Sequence, residues 1–237
     1  MEAIIEIKDL EKVFGHKKAL RGVNLKIYEG EFLSLFGPNG AGKTTLLKSI
    51  ATILRPTRGK IYFRGEPLDD DSLVLRESIG LVSHNSLLYD DLTAYENLLF
   101  YARMYGVNDH RERINYLLHQ VGLYHRKDDT VRTFSRGMLQ RLAIARAILH
   151  DPPILLLDEP YTGLDAQAAR ILDELIENLK DGKRTFIMTS HDLDKGFEHA
   201  TRLAILFYGE VVFDRRKEET SIEEFEGEFW KWVGQQG

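Results

Sequence analysis

Eight consecutive residues, Gly37-Pro38-Asn39-Gly40-Ala41-Gly42-Lys43-Thr44, match the pattern G-x-x-x-x-G-K-[ST], and Thr45 follows them. The run lies between an apolar stretch, Phe32-Leu33-Ser34-Leu35-Phe36, and a helical pattern predicted over Lys43 to Leu54, before Pro56. Glycines let the backbone curl so that successive N–H groups and the start of the next helix face one anion, which suits a polyphosphate. Lys43 is then expected to reach the β- and γ-phosphates, and Thr44 to ligate Mg²⁺. Further on, Ile154-Leu155-Leu156-Leu157 run into Asp158-Glu159. This places Asp158 at the end of a buried strand, next to the glycine loop and within reach of the Mg²⁺ shell. Glu159, one residue beyond, is positioned to polarise an attacking water.

Those side chains need strands that end together and helices that start beside them. Alternating residues Ile5/Ile7 and Val23/Leu25/Ile27, the latter closed by Glu29-Gly30, predict an antiparallel β edge. Further strands are predicted at Ile61–Phe63, Ile79–Ser83, Ile154–Asp158, Thr185–Thr189 and Leu203–Phe207, several separated by helical patterns. A mostly parallel sheet in an α/β fold follows. From about Asp90 to Leu149 the period changes: Ile114, Leu117, Leu118 and Val121 define one helical face stopped at Gly122, and Thr93 with Glu96 has capping-box spacing. The result is one unit over residues 1–237, with an α/β core at 1–89 and 150–215, a helical insert at 90–149 and a tail at 216–237. That tail ends in Phe229-Trp230-Lys231-Trp232-Val233 and reads as packed on its own domain in preference to an interfacial anchor.

Composition narrows the chemistry. The chain has 237 residues, 32 basic against 37 acidic, and a formal net charge of −5, which argues against a broadly basic nucleic-acid or anionic-membrane surface. With no cysteine there is no disulfide framework, thiolate metal site or cysteine nucleophile. Met1 to Lys8 alternate with charges where a secretory signal needs an apolar run, and no apolar stretch approaches the roughly 20 residues that span a bilayer.

Phe134-Ser135-Arg136-Gly137-Met138, opening a helix, completes a pattern with Asp158-Glu159, Tyr161-Thr162-Gly163-Leu164-Asp165 and Ser190-His191-Asp192. Order and spacing resemble an ABC-type ATPase, the nucleotide-binding subunit of an ABC transporter, from about residue 4 to residue 213. The resemblance implies a P-loop NTPase fold with a RecA-like core, and ATP with Mg²⁺ bound by Phe14, which stacks on adenine, and by the loop Gly37 to Thr45. It implies that Ser135, Arg136, Gly137 and Met138 form the signature that closes on the partner subunit's ATP. Asp165 is then the D-loop aspartate and His191 the switch histidine at the γ-phosphate. A Ser and a Gly at a helix N-terminus present anion-binding N–H groups in any case. Taken alone, Phe14 reads as a core aromatic and His191 as a capping or surface residue. The histidines at 16, 110, 119, 125, 150 and 199 have no metal-ligand spacing and read as surface or packing residues.

Two departures stand out. His84 occupies the place of a glutamine that in the family touches Mg²⁺ and the attacking water, and an imidazole there replaces the amide in part and adds a pH dependence. Arg136 and Met138 replace a glycine and a glutamine of the signature. With Leu87 to Leu98 these positions are similar to exporter-type subunits, such as the haem-exporter ATPase of cytochrome c maturation and multidrug-exporter relatives. The expected partners are an integral membrane permease and a second ATPase subunit, identical or different, at the cytoplasmic face, with no direct nucleic-acid contact. The segment from about Leu87 to Tyr105 is expected to couple to the permease. The alternative is a soluble ABC-type ATPase of nucleic-acid or translation processes, which generally carries coiled coils, extra domains or fused cassettes and a basic footprint.

Overall fold

The computed structural model describes residues 3–68, 73–83, 86–180 and 182–234. Strands β1 (Ala3–Phe14) and β2 (Lys17–Tyr28) pair antiparallel, with Ile5, Ile7, Leu10, Val23, Leu25 and Ile27 buried along one face. β3 (Phe32–Phe36) is buried at every residue and leads through the glycine loop into α1 (Lys43–Ile50). The helix stops four residues short of the predicted Leu54. Its last turn closes when the Ile53 and Leu54 N–H groups both bond the Lys48 carbonyl, and Thr52 enters the left-handed region at φ 57°.

β4 (Arg58–Phe63) and β5 (Glu66–Pro67) extend the first sheet, giving the order β2-β1-β4-β5 among the described residues. The antiparallel edge expected from the sequence is therefore a separate sheet, and Ile61–Phe63 belongs to it and not to the parallel one. Cross-chain pairing decides this: Ile61 faces Ile7 on β1, a long-range register that no local period announces.

After α2 (Leu73–Ser78) and β6 (Ile79–Val82), the chain turns helical in α3 (Ala94–Met104), α4 (His110–Gln120) and α5 (Arg136–Ala147). Thr93 and Glu96 form both bonds of the capping box on α3, and Ile114, Leu117, Leu118 and Val121 are buried as their spacing required. Then follow β7 (Ile154–Asp158), α6 (Ala166–Leu179), β8 (Thr185–Ser190), α7 (Leu193–His199), β9 (Arg202–Phe207), β10 (Glu210–Arg216) and α8 (Ile222–Val233). The second sheet runs β10-β9-β3-β8-β7-β6, parallel except for the β9–β10 hairpin.

This sheet is covered on both faces, which explains its unbroken apolar runs. Leu155, Leu157, Phe186 and Met188 pack with the helices α3 to α5, whereas Ile154, Leu156, Ile187, Leu33 and Leu35 pack with β1, β2 and α1. In the tail, α8 buries Phe225 and Phe229 against Phe36, Leu203, Ile205 and Phe213.

Candidate active site

Register brings the chemistry together. Phe36 is paired with Ser190 and Asp158 with Thr189, so β3, β7 and β8 end on one level and their following loops meet at the carboxyl edge of the parallel sheet. Gly37 and Gly42 shape the first loop at φ 153° and 111°. A Cβ at Gly37 would lie 2.2 Å from the Leu206 carbonyl oxygen, and one at Gly42 2.5 Å from that of Ala19. Gly42 also caps α1 without a side chain, so the first-turn N–H groups stay available to an anion.

Lys43, 5% exposed, donates to the Gly37 carbonyl at 2.7 Å and the Pro38 carbonyl at 3.3 Å, and its Nζ lies 3.3 Å from Glu159 Oε1. Thr44 Oγ1 donates to Asp158 Oδ1 at 3.0 Å. His191 Nδ1 stands 3.1 Å from Glu159 Oε2, and Thr162 Oγ1 donates to the same oxygen at 3.3 Å. Burial pushes the Glu159 carboxyl up, but the Lys43 ammonium, with His191 and Thr162, pulls it further the other way and holds it below its ordinary value. Its backbone adopts φ 51°, a left-handed conformation uncommon for a non-glycine residue and concentrated at functional sites.

A cavity of about 270 Å³ adjoins this group, lined by Phe14, Lys17, Ala19, Pro38 through Thr45 and Glu159. Phe14 is half-exposed at its rim, with the Lys12 ammonium 5.1 Å from the ring centre. A larger hollow of about 710 Å³, lined by Tyr28, Thr201, Arg216 and Lys217 among others, contains none of these residues.

The family model for the ABC transporter matches residues 20–162. The chain belongs to the ABC transporter family. It is 38% identical over 217 residues to the ABC transporter ATP-binding protein NatA of Bacillus subtilis, covering 89% of this chain and 88% of NatA. It is 32% identical over 221 residues to the Nod factor export ATP-binding protein I of Cupriavidus metallidurans, covering 92% and 73%. In structure it is similar to the dimeric post-hydrolysis state of the ATP-binding cassette MJ0796 bound to ADP and Pi, with a TM-score of 0.82 and 32% identity over 90% of this chain and 98% of that one. As an ABC ATP-binding subunit it has the P-loop fold and ATP-hydrolysing activity of its family, whose subunits dimerise and serve membrane permeases. Among the described residues, no helix is long and apolar enough to cross a membrane.

The residues expected to form the signature, Ser135 to Met138, open α5, and Asp165, expected in the D-loop, stands at the N-cap of α6. Ser135 caps α5 by accepting the Met138 N–H at 3.3 Å, and Asp165 caps α6 by accepting that of Ala168 at 2.8 Å. A Cβ at Gly137 would come within 3.0 Å of the Ala168 Cβ, and one at Gly163 within 2.5 Å of the Arg136 guanidinium, so the signature and the 162–165 turn are packed together. His84 lies outside the described residues.

Sequence reasoning missed Thr189, whose buried hydroxyl donates to Asp158 at 2.8 Å and accepts the Glu159 N–H at 3.0 Å. It also missed Thr162 and Lys17. Thr189 stands only two residues before His191, and that proximity was the available signal.

Proposed function

We propose that this chain is the ATP-driven motor of an exporter, working as a dimer at the cytoplasmic face of a membrane beneath a separate, multi-spanning permease. The observation that carries the reading is the Glu159 carboxylate held between Lys43 Nζ, at 3.3 Å, and His191 Nδ1, at 3.1 Å, beside a loop built for phosphates. A carboxylate kept ionised by a neighbouring ammonium takes the proton of an attacking water, and His191 contacts the γ-phosphate that this water attacks. Lys43 exchanges the Gly37 and Pro38 carbonyls for the β- and γ-phosphate oxygens, while Gly40 and Gly42 to Thr45 offer N–H groups to the rest of the chain of phosphates. Phe14 presents its ring face to adenine.

Thr44 and Asp158 put a hydroxyl and a carboxylate 3.0 Å apart, and such hard oxygen donors fit Mg²⁺, with Asp158 acting through a water. Bound there, the ion supplies charge neutralisation on the phosphates. Ser135, Arg136, Gly137 and Met138 complete the site of the second protomer, and Asp165 lies at the dimer contact.

Export is supported by likeness to the Nod factor export subunit. Leu87, Tyr89, Phe100 and Met104 are exposed in and before α3 and offer the permease an apolar seat. Cargo selectivity rests with that permease, with haem, drugs and lipids the classes in view. Affinity purification of the tagged chain from membranes of its host, with ATPase assays on what co-elutes, tests the reading. Recovery of a multi-spanning protein that alters turnover supports it, and recovery of only ribosome- or DNA-bound proteins overturns it.

A further inference from the structure

Below the ATP site lies a second set of titratable groups that the reaction does not use. His199, at the end of α7, is buried to 3% exposure, with its Nε2 2.8 Å from the Tyr161 hydroxyl and 3.1 Å from Asp173 Oδ1. Its Nδ1 faces Glu177 at 3.0 Å and Lys180 at 3.3 Å. The Tyr161 hydroxyl donates to Asp173 at 2.7 Å, and Lys195 donates to the other Asp173 oxygen, also at 2.7 Å. Burial, followed by the Asp173 carboxylate, raises the Tyr161 phenol well above its ordinary range, so the hydroxyl keeps its proton and remains a donor.

Asp173, Glu198 and His199 also place three metal-type ligand atoms close together. The Lys195 ammonium already bonds both carboxylates, at 2.7 and 3.1 Å, and so supplies the positive charge itself. The cluster is a tie between elements and not a metal centre.

What it ties is specific. His191, Lys195 and His199 recur every four residues, which brings them to one side of α7 and the turn before it. Each meets a residue of the 159–173 segment: His191 meets Glu159, Lys195 meets Asp173, and His199 meets Tyr161. Tyr161 is two residues from Glu159 and four from Asp165. We propose that Tyr161 and His199 are positioning residues that clamp the far end of α7 to the Glu159 loop and thereby hold His191 in place against Glu159. The proposal rests on the reading of Glu159 and His191 as the groups that act at the γ-phosphate.

The test is a double-mutant cycle on the full chain, reading steady-state kcat and KM for ATP–Mg²⁺ together with thermal melting. His191→Ala first establishes the parent reading through its own loss of kcat. Tyr161→Phe keeps the ring and removes only the bond. It is expected to lower kcat about tenfold with KM held within about twofold, since a misplacement of about 1 Å costs up to about a hundredfold. His199→Ala should behave alike, and His199→Gln, which keeps a side-chain N–H, should recover most of the loss. In the His191→Ala background, Tyr161→Phe should cost nothing further, because its effect passes through His191. Normal loss in His191→Ala with undiminished turnover in Tyr161→Phe and His199→Ala overturns the clamp alone. An equal loss from Tyr161→Phe in both backgrounds also overturns it. Undiminished turnover in His191→Ala overturns the parent reading and the clamp together.

Discussion

Thr189 Oγ1 donates its hydroxyl proton to Asp158 Oδ1 at 2.8 Å and itself accepts the Glu159 backbone N–H at 3.0 Å. One buried threonine on β8 thus orients both acids at the end of β7, fixing where the carboxylates face the P-loop lysine and threonine.

Removing that hydroxyl should disturb turnover more than binding. Thr189→Val keeps the shape and leaves Asp158 with one donor fewer, so kcat is expected to fall about tenfold, the scale of losing an orienting partner behind a ligand, with KM for ATP little changed. Thr189→Ser should retain activity. Steady-state kinetics on both variants checks this, and a Val variant with normal kcat would show that the acids orient themselves.

His150 predicts a pH dependence of stability. It stacks on Tyr105 with ring centres 4.0 Å apart, and its Nε2 bonds the Ile79 carbonyl at 3.2 Å. Burial is the main cause that depresses the imidazole from 6.5 to about 4, the Ile79 bond opposing it and the Arg146 charge adding to it. The unfolded chain takes up this proton as pH falls through 6.5, while the folded chain does not until about 4, so stability falls across that window. The full cost is about 3 kcal/mol at its lower end. Denaturant melts at pH 7 and pH 5 should show part of the loss, and His150→Phe should flatten the difference. An equal pH response in that variant would remove His150 from the account.

The tail is an integral part of the core. Phe225 is fully buried, its ring centre 4.8 Å from that of Phe36, the last residue before the P-loop. Phe225→Ala is expected to cost about 3–5 kcal/mol in urea unfolding. A loss below about 1 kcal/mol would mean that α8 is only laid on the surface.

Much of this site was legible in the residues because its parts are local. A loop that must curl around phosphate needs glycines at fixed offsets, and a strand ending in Asp158-Glu159 announces itself through the contrast of four apolar residues and two acids. The same holds for the helical faces, where Ile114, Leu117, Leu118 and Val121 follow a period set by the helix alone. What escaped depends on partners far apart in sequence. Nothing in Ile61–Phe63 distinguishes a strand of the antiparallel sheet from one of the parallel sheet until Ile7 is opposite it. Thr189 reads as one more β-branched strand residue until β7 lies beside it, and the positive φ of Glu159 has no sequence signal, since glutamate is not a residue chosen for that conformation. His199, read with the other histidines as a packing or surface residue, gains its meaning only from Tyr161 and Asp173 on other elements.

The central claim is that Glu159 activates the water that splits ATP within a closed dimer. Glu159→Gln keeps the phosphate cradle and removes the base, so the purified variant with ATP and Mg²⁺ should run as a dimer in analytical ultracentrifugation. It should hold ATP and turn over at less than about a hundredth of the wild-type rate, within the range that loss of a general base produces. A variant that stays monomeric and hydrolyses ATP at the wild-type rate would contradict the account.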